Sequence, residues 1–143
     1  MGDDDAAPDT SDEVLQFAAR MFDLARSGET ALLMEYVDAG LPVNLTNSAG
    51  DSLLMLAAYY DRAETTQALL ERGADCNRIN NRGQTVLAAA TFRGSADEVE
   101  MLLKAGADPY LGSPSAIEVA RFFQYLDMQE LLERTAGGNT ATP

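Results

Sequence analysis

Reactions at neutral pH are usually carried by histidine, cysteine or paired carboxylates, and this chain offers little of the first two. It contains no histidine. That removes the commonest general base, nucleophile pairs of the Ser-His and Cys-His kind, and most zinc sites. The single cysteine, Cys76, cannot build a thiolate cluster or an internal disulfide, and it fits a reducing compartment. Carboxylates are plentiful, but their spacing suggests structure. Asp75 and Asp108 stand 33 residues apart in matching contexts. That marks one turn position used twice, not a metal-binding or catalytic pair. Asp97, Glu98 and Glu100 fall on a helical stretch without the ligand spacing of a calcium loop, and are expected to form a solvated face. The 11 glycines contain neither G-x-G-x-x-G nor G-x-x-x-x-G-K-[ST], so no phosphate cradle is predicted. The expectation is a non-enzyme with no catalytic residue, no cofactor and no metal.

The elements that would position any other kind of site repeat with a period of 33. Gly40, Gly73 and Gly106 are spaced by it, as are Gly50 and Gly83, Ser52 and Thr85, Leu54 and Leu87, and Leu69 and Leu102. A fixed period of this length means stacked units, none of which can bury its apolar face alone. Each unit reads alike. A hydroxyl residue (Ser52, Thr85, Ser115) caps a first helix, and Ser115 with Glu118 has capping-box spacing. Small residues follow, Ala57-Ala58 and Ala88-Ala89-Ala90. A second helix then carries Leu69-Leu70, Leu102-Leu103 or Leu131-Leu132, and Gly73 and Gly106 stand where a left-handed C-cap is expected. An extended stretch and turn, such as Asn77 to Gly83, leads onward. Cys76 holds the slot of Val43 and Pro109 in its neighbours and is read as a packing residue.

The predicted fold class is an all-α repeat solenoid of antiparallel helix pairs joined by hairpin-like turns. Its repeat domain is placed at residues 14–134, in units of about 14–46, 47–79, 80–110 and 111–134. The last unit is three residues short in its connecting turn, and both end units are atypical, as a solenoid's caps must be. Residues 1–13 are expected to be an acidic disordered tail and residues 135–143 a flexible C-terminal one.

Charge narrows the range of partners. The chain has 143 residues, room for one domain, and 23 acidic against 10 basic side chains, a net charge of −13. Six acids (Asp3, Asp4, Asp5, Asp9, Asp12, Glu13) precede Val14. Phosphates would be repelled, so neither nucleic acid nor an anionic membrane is an expected partner. No apolar run reaches the roughly 18 residues that span a bilayer. The acidic start is unlike a secretory signal, and a cytoplasmic location is expected.

These residues resemble the ankyrin repeat family, whose first helix reads Gly-x-Thr-Pro-Leu-His-x-Ala-Ala and whose exit reads Leu-Leu-x-x-Gly-Ala-Asp-x-Asn. Here the corresponding stretches are Gly50 to Ala58 and Leu69 to Asn77, and the third unit ends Leu102 to Asp108. The length, the ends and the segment Asn44-Leu45-Thr46-Asn47 are similar to small, free-standing bacterial ankyrin proteins. The family's Pro is replaced by Leu53, Val86 and Ala116, and its loop-tying His by Met55, Ala88 and Glu118, which leaves loop rigidity open. The resemblance implies a concave face made of turn tips and first helices. Its contact positions fall on Arg26 and Ser27, Tyr59 and Tyr60, Phe92 and Arg93, and Phe122 and Phe123, with turn tips at Ser48, Ala49, Asp51, Asn81, Arg82 and Gln84. Tyr, Phe and Arg are enriched at interface centres, which favours an interface role for Tyr59 and Phe92 over the alternative of core packing, and one of Phe122 and Phe123 could turn inward.

The implied function is a non-catalytic module that binds an unidentified protein on its concave face as a monomer. The candidate protein-binding residues are Arg26, Tyr59, Tyr60, Arg82, Phe92, Arg93, Phe122 and Phe123. Two other readings stay open: regulation or inhibition of an enzyme through the same face, and an acidic mimic of nucleic acid.

Overall fold

A computed structural model of the chain describes the backbone of residues 10–141 and the side chains of residues 12–135. The described backbone forms eight helices: α1 (Thr10–Ser27), α2 (Thr30–Asp38), α3 (Leu53–Tyr59), α4 (Ala63–Glu71), α5 (Val86–Arg93), α6 (Ala96–Lys104), α7 (Ala116–Phe122) and α8 (Leu126–Ala141). Their starts follow from local chemistry. Ser52, Thr85 and Ser115 are extended residues whose side chains accept from the backbone N–H of Met55, Ala88 and Glu118. The capping box at Ser115 is closed by the Glu118 carboxylate, which accepts from the Ser115 N–H at 2.8 Å. Each such cap satisfies donors that a helix start leaves free.

The eight helices pack in two rows. The first helices α1, α3, α5 and α7 lie side by side, and the second helices α2, α4, α6 and α8 form the row behind them. The core runs between the rows. Leu33, Leu69, Leu102 and Leu132 are fully buried along the second row, and Leu54, Leu87 and Ile117 along the first. Ala57, Ala58, Ala90 and Ala120 are also fully buried. Side chains this small let neighbouring backbones approach.

Turns between units tie to each other rather than forming a sheet; the described residues hold only the isolated bridges Thr46 to Ser52 and Gly112 to Ser115. Gly50 shows how close the tips come. Its φ is +81°, and an added Cβ would meet Asn81 Oδ1 at 2.6 Å and the Asn81 nitrogen at 2.9 Å. Only glycine relieves both constraints.

Both ends differ from the expected boundaries. α1 begins at Thr10, inside the expected tail, with Asp12 and Glu13 in its first turn, where acids suit the helix dipole. α8 runs on to Ala141, through Gly137 and Gly138, residues that weaken a helix by about 1 kcal/mol each without forbidding it. The remaining expected tail residues, 1–9 and 142–143, lie outside the described residues. Among the described residues, no helix is long and apolar enough to cross a membrane.

Candidate functional site

The side of the first helices carries a groove of about 480 Å³. Met55 and Leu56 of α3, Ala88 and Ala89 of α5, and Val119 of α7 give it an apolar floor, and Tyr59, Tyr60 and Phe92 stand around it. Arg26 from the end of α1 reaches one part of it, and Arg82 and Gln84 reach it from a turn tip. The helical period explains the grouping. Met55 and Tyr59 are four residues apart on one face of α3, as Ala88 and Phe92 are on α5.

Of the eight expected contact residues, Arg26, Tyr59, Tyr60, Arg82 and Phe92 line this groove. Arg93 lies beside it, with its guanidinium carbon 5.4 Å from the centre of the Tyr59 ring, a cation–π distance. Phe122 and Phe123 lie outside it. Phe123 continues the aromatic surface, edge-on to Phe92 at 5.6 Å and to Phe122 at 5.0 Å, and stacked on Tyr125 at 5.6 Å. The contacts therefore run diagonally between units, from the second residue of one expected pair to the first residue of the pair before it, Arg93 to Tyr59 and Phe123 to Phe92. Tyr59 is 38%, Phe92 49%, Phe122 79% and Phe123 41% exposed, so none of the four is core and neither member of the Phe pair turns inward. Ser27 lines no part of the groove.

The rim is positive in an acidic protein. Arg82 donates from Nε and Nη2 to the Gln84 side-chain oxygen at 3.3 and 3.2 Å. Arg26 pairs with Asp23 at 2.6 Å. Among the described residues no carboxylate pairs with Arg82 or Arg93. Asp51, expected as an exposed tip, is nearly buried, and its carboxylate accepts from Asn80 Nδ2 at 2.8 Å.

Asn80 is the residue that sequence reading missed. Its amide donates to Asp51 and to the Gln84 side chain at 2.8 Å each, and its oxygen accepts from the N–H groups of Arg82 and Gln84 at 2.9 Å each. In the preceding unit the Asn47 oxygen accepts from the N–H groups of Ala49 and Asp51 at 3.0 Å. The tips are thus held by asparagine where the family's histidine is absent. The available signal was the 33-residue spacing of Asn47 and Asn80. Asn44 and Asn77 share that spacing and link successive units lower down, their oxygens accepting from the N–H groups of Asp75 and Asp108 at 2.8 Å each.

The remaining candidates for chemistry resolve into structure, with one exception. The Asp75 and Asp108 carboxylates accept from the N–H groups two residues on, at 2.9 Å each, as turn residues do. Cys76 is buried, and burial pushes its thiol pKa up, the opposite of an activated nucleophile. Among the described residues no cluster of three or more His, Cys, Asp or Glu side chains could hold a metal ion. The exception corrects an expectation: Asp97 and Glu100 are solvated, but Glu98, read as part of the same face, is fully buried with no hydrogen-bond partner on either carboxylate oxygen. On a helix that turns by about 100° per residue, Glu98 falls at the edge of the buried arc of Val99, Leu102 and Leu103, whereas Asp97 and Glu100 fall further from it.

Two rows of helix pairs, repeated at a near-constant interval and linked by hydrogen-bonded tips, define a helical repeat solenoid. The ankyrin repeat pattern, in three copies, matches residues 13–112, and the chain belongs to the ankyrin repeat family. An ankyrin repeat protein of Pseudomonas aeruginosa is 46% identical over 64 residues, a stretch that covers 45% of this chain and 37% of that relative. The match thus spans little more than a third of the relative's length.

Proposed function

We propose that the chain is a non-catalytic protein-interaction module that takes a segment of a protein partner into this groove on its concave face. The observation that carries the reading is the convergence of Arg26, Tyr59, Tyr60, Arg82 and Phe92 on one groove. Exposed aromatic side chains over an apolar floor supply the burial that dominates interface centres. Arg82 and Arg93, without carboxylate partners, favour a segment that presents an apolar side chain flanked by carboxylates. An enzyme whose surface offers such a segment would be regulated by the same contact. The lone, buried Cys76 supports a reducing, cytoplasmic setting.

The test is capture of the partner by the intact protein and by the double variant Tyr59→Ala with Phe92→Ala. Each aromatic at an interface centre is worth roughly 2–4 kcal/mol, so binding should weaken by at least about 100-fold, short of additivity. Circular dichroism and a thermal melt are the control. An unfolded variant would show that these rings hold the stack together. A folded variant that binds normally would move the working surface elsewhere, to the outer helices carrying Glu64, Asp97 and Glu100.

A further inference from the structure

Glu98 is the anomaly of this fold. Its carboxylate is fully buried at the start of α6, where α6 packs on α4, and neither oxygen is hydrogen-bonded. A carboxylate in such a place is strongly disfavoured, and the group neutralises by holding a proton. The groups around it do not oppose this. Asp61 lies in the turn before α4, Glu64 is on α4, and Asp97 is on α6 itself. On α8, Met128 takes the matching register position, with Asp127 just before it and Glu130 two residues after it. All five are acids, and Asp61 and Asp97 are the two whose charges raise the Glu98 pKa. On α5, Arg93 is turned to the Tyr59 ring, and Arg62, before α4, donates from Nε to the Arg26 carbonyl at 2.6 Å. The Thr66 hydroxyl is near enough to favour a charge on Glu98, but its proton is given to the Arg62 carbonyl at 3.0 Å. Its oxygen is left able to accept.

A neutral carboxyl is a donor and an ionised one only an acceptor. We propose that Glu98 is a proton-operated latch between the second and third units. As the acid it donates to the Thr66 oxygen and holds α6 against α4; as the carboxylate it can be served by the Thr66 hydroxyl only if that hydroxyl gives up the Arg62 carbonyl, and the joint loosens. The loosening reaches the groove through two short turns. The Ser95 hydroxyl donates to the Asp61 carboxylate at 2.9 Å, which ties the turn after α3 to the turn after α5. Tyr59 stands two residues before Asp61, and Arg93 two before Ser95. A second negative charge beside Asp61 therefore bears on the Tyr59–Arg93 contact. The latch does not depend on what the groove binds. Burial is the main cause that raises the Glu98 pKa, from 4.5 to about 7; the Thr66 hydroxyl lowers it, and Asp61 and Asp97 raise it. The switch would operate near neutral pH.

The experiment is a carbon NMR titration of the full chain, labelled at its glutamate carboxyls, from about pH 4 to about pH 9. The amide signals of Tyr59 and Arg93 are followed in the same samples, with Glu98→Gln as the comparison. Glu98 should titrate near 7, and both amides should show a step at the same midpoint that Glu98→Gln lacks. In urea melts the folded-to-unfolded ratio of the wild type should fall, relative to Glu98→Gln, on the order of 100-fold between about pH 5 and about pH 8. A Glu98 midpoint near the ordinary 4.5 overturns the latch. A raised midpoint with motionless Tyr59 and Arg93 amides overturns its reach to the groove. If Glu98→Gln does not fold, the wild-type titration, assigned through its own backbone connectivities, decides both points alone.

Discussion

Thr65 and Glu98 hold the same position in successive units, 33 residues apart, and both are fully buried between neighbouring second helices. At the joint between the first and second units, Thr65 Oγ1 lies 2.6 Å from Thr30 Oγ1. Two hydroxyls can share a proton in either direction, so this pair is satisfied whichever one donates. At the joint between the second and third units the same position holds a carboxyl with nothing to receive. In the last unit the matching residue is Met128, also buried, and no polar group arises. Period and burial belong to the position, but the energy depends on whether the side chain brings its own proton. Two joints of one geometry should therefore respond differently to pH.

The largest effect should come from the leucines behind both joints. Leu69→Ala and Leu102→Ala remove fully buried side chains, and each should cost roughly 2–5 kcal/mol in urea unfolding. At about pH 5, where Glu98 is neutral, the two costs should agree within about 1 kcal/mol. A wider gap would mean that the joints differ in packing as well as in charge.

Exchanging the carboxyl itself is the sharper probe. Glu98→Met copies the residue at the same register in the last unit. A carboxyl whose pKa is raised by folding binds its proton more tightly in the folded state. Its contribution is therefore complete below the unfolded value of 4.5 and is lost as pH rises through about 7. At about pH 8 the variant should be more stable than the wild type by about 1–3 kcal/mol, because an apolar side chain replaces a buried, unpaired charge. Near pH 5 that advantage should largely vanish. A variant less stable than wild type at both pH values would mean that the carboxyl is paired in solution.

How far the sequence exposes this architecture can be judged from the same residues. The period places the helices because it is written in residue types with one dominant role: hydroxyls at caps, glycines past helix ends, leucine pairs toward the core. Tyr59 and Phe92, which stand at the groove, are placed at contact positions by the family resemblance, while the residues alone leave core packing open for both. The contacts at the groove were not legible, because ring and guanidinium placement depends on rotamers that cross from one unit to the next, as with Arg93 over Tyr59. Glu98 was misread because composition is averaged over a face, whereas burial is set residue by residue. Asn80 was missed for the opposite reason: its spacing from Asn47 was visible, but asparagine in a turn has so many local uses that spacing alone does not reveal a four-bond hub.

That hub gives the smallest contrast between units. Asn80→Ala deletes a buried amide with two donated and two accepted hydrogen bonds, and leaves the nearly buried Asp51 carboxylate without its Asn80 donor. Asn47→Ala deletes a less buried amide, losing its two accepted bonds. Loss of one partner of a buried polar pair costs about 1–3 kcal/mol, against about 0.5–1.5 kcal/mol for an ordinary hydrogen bond. Asn80→Ala should therefore be the more destabilising by about 1 kcal/mol. It should also broaden the amide signals of Arg82 and Gln84 while leaving those of Thr46 sharp. Equal losses would show that water replaces the asparagine amide at both tips, and that backbone contacts alone, such as the Asn81 N–H to the Ala49 carbonyl at 3.0 Å, hold the Arg82 rim in place.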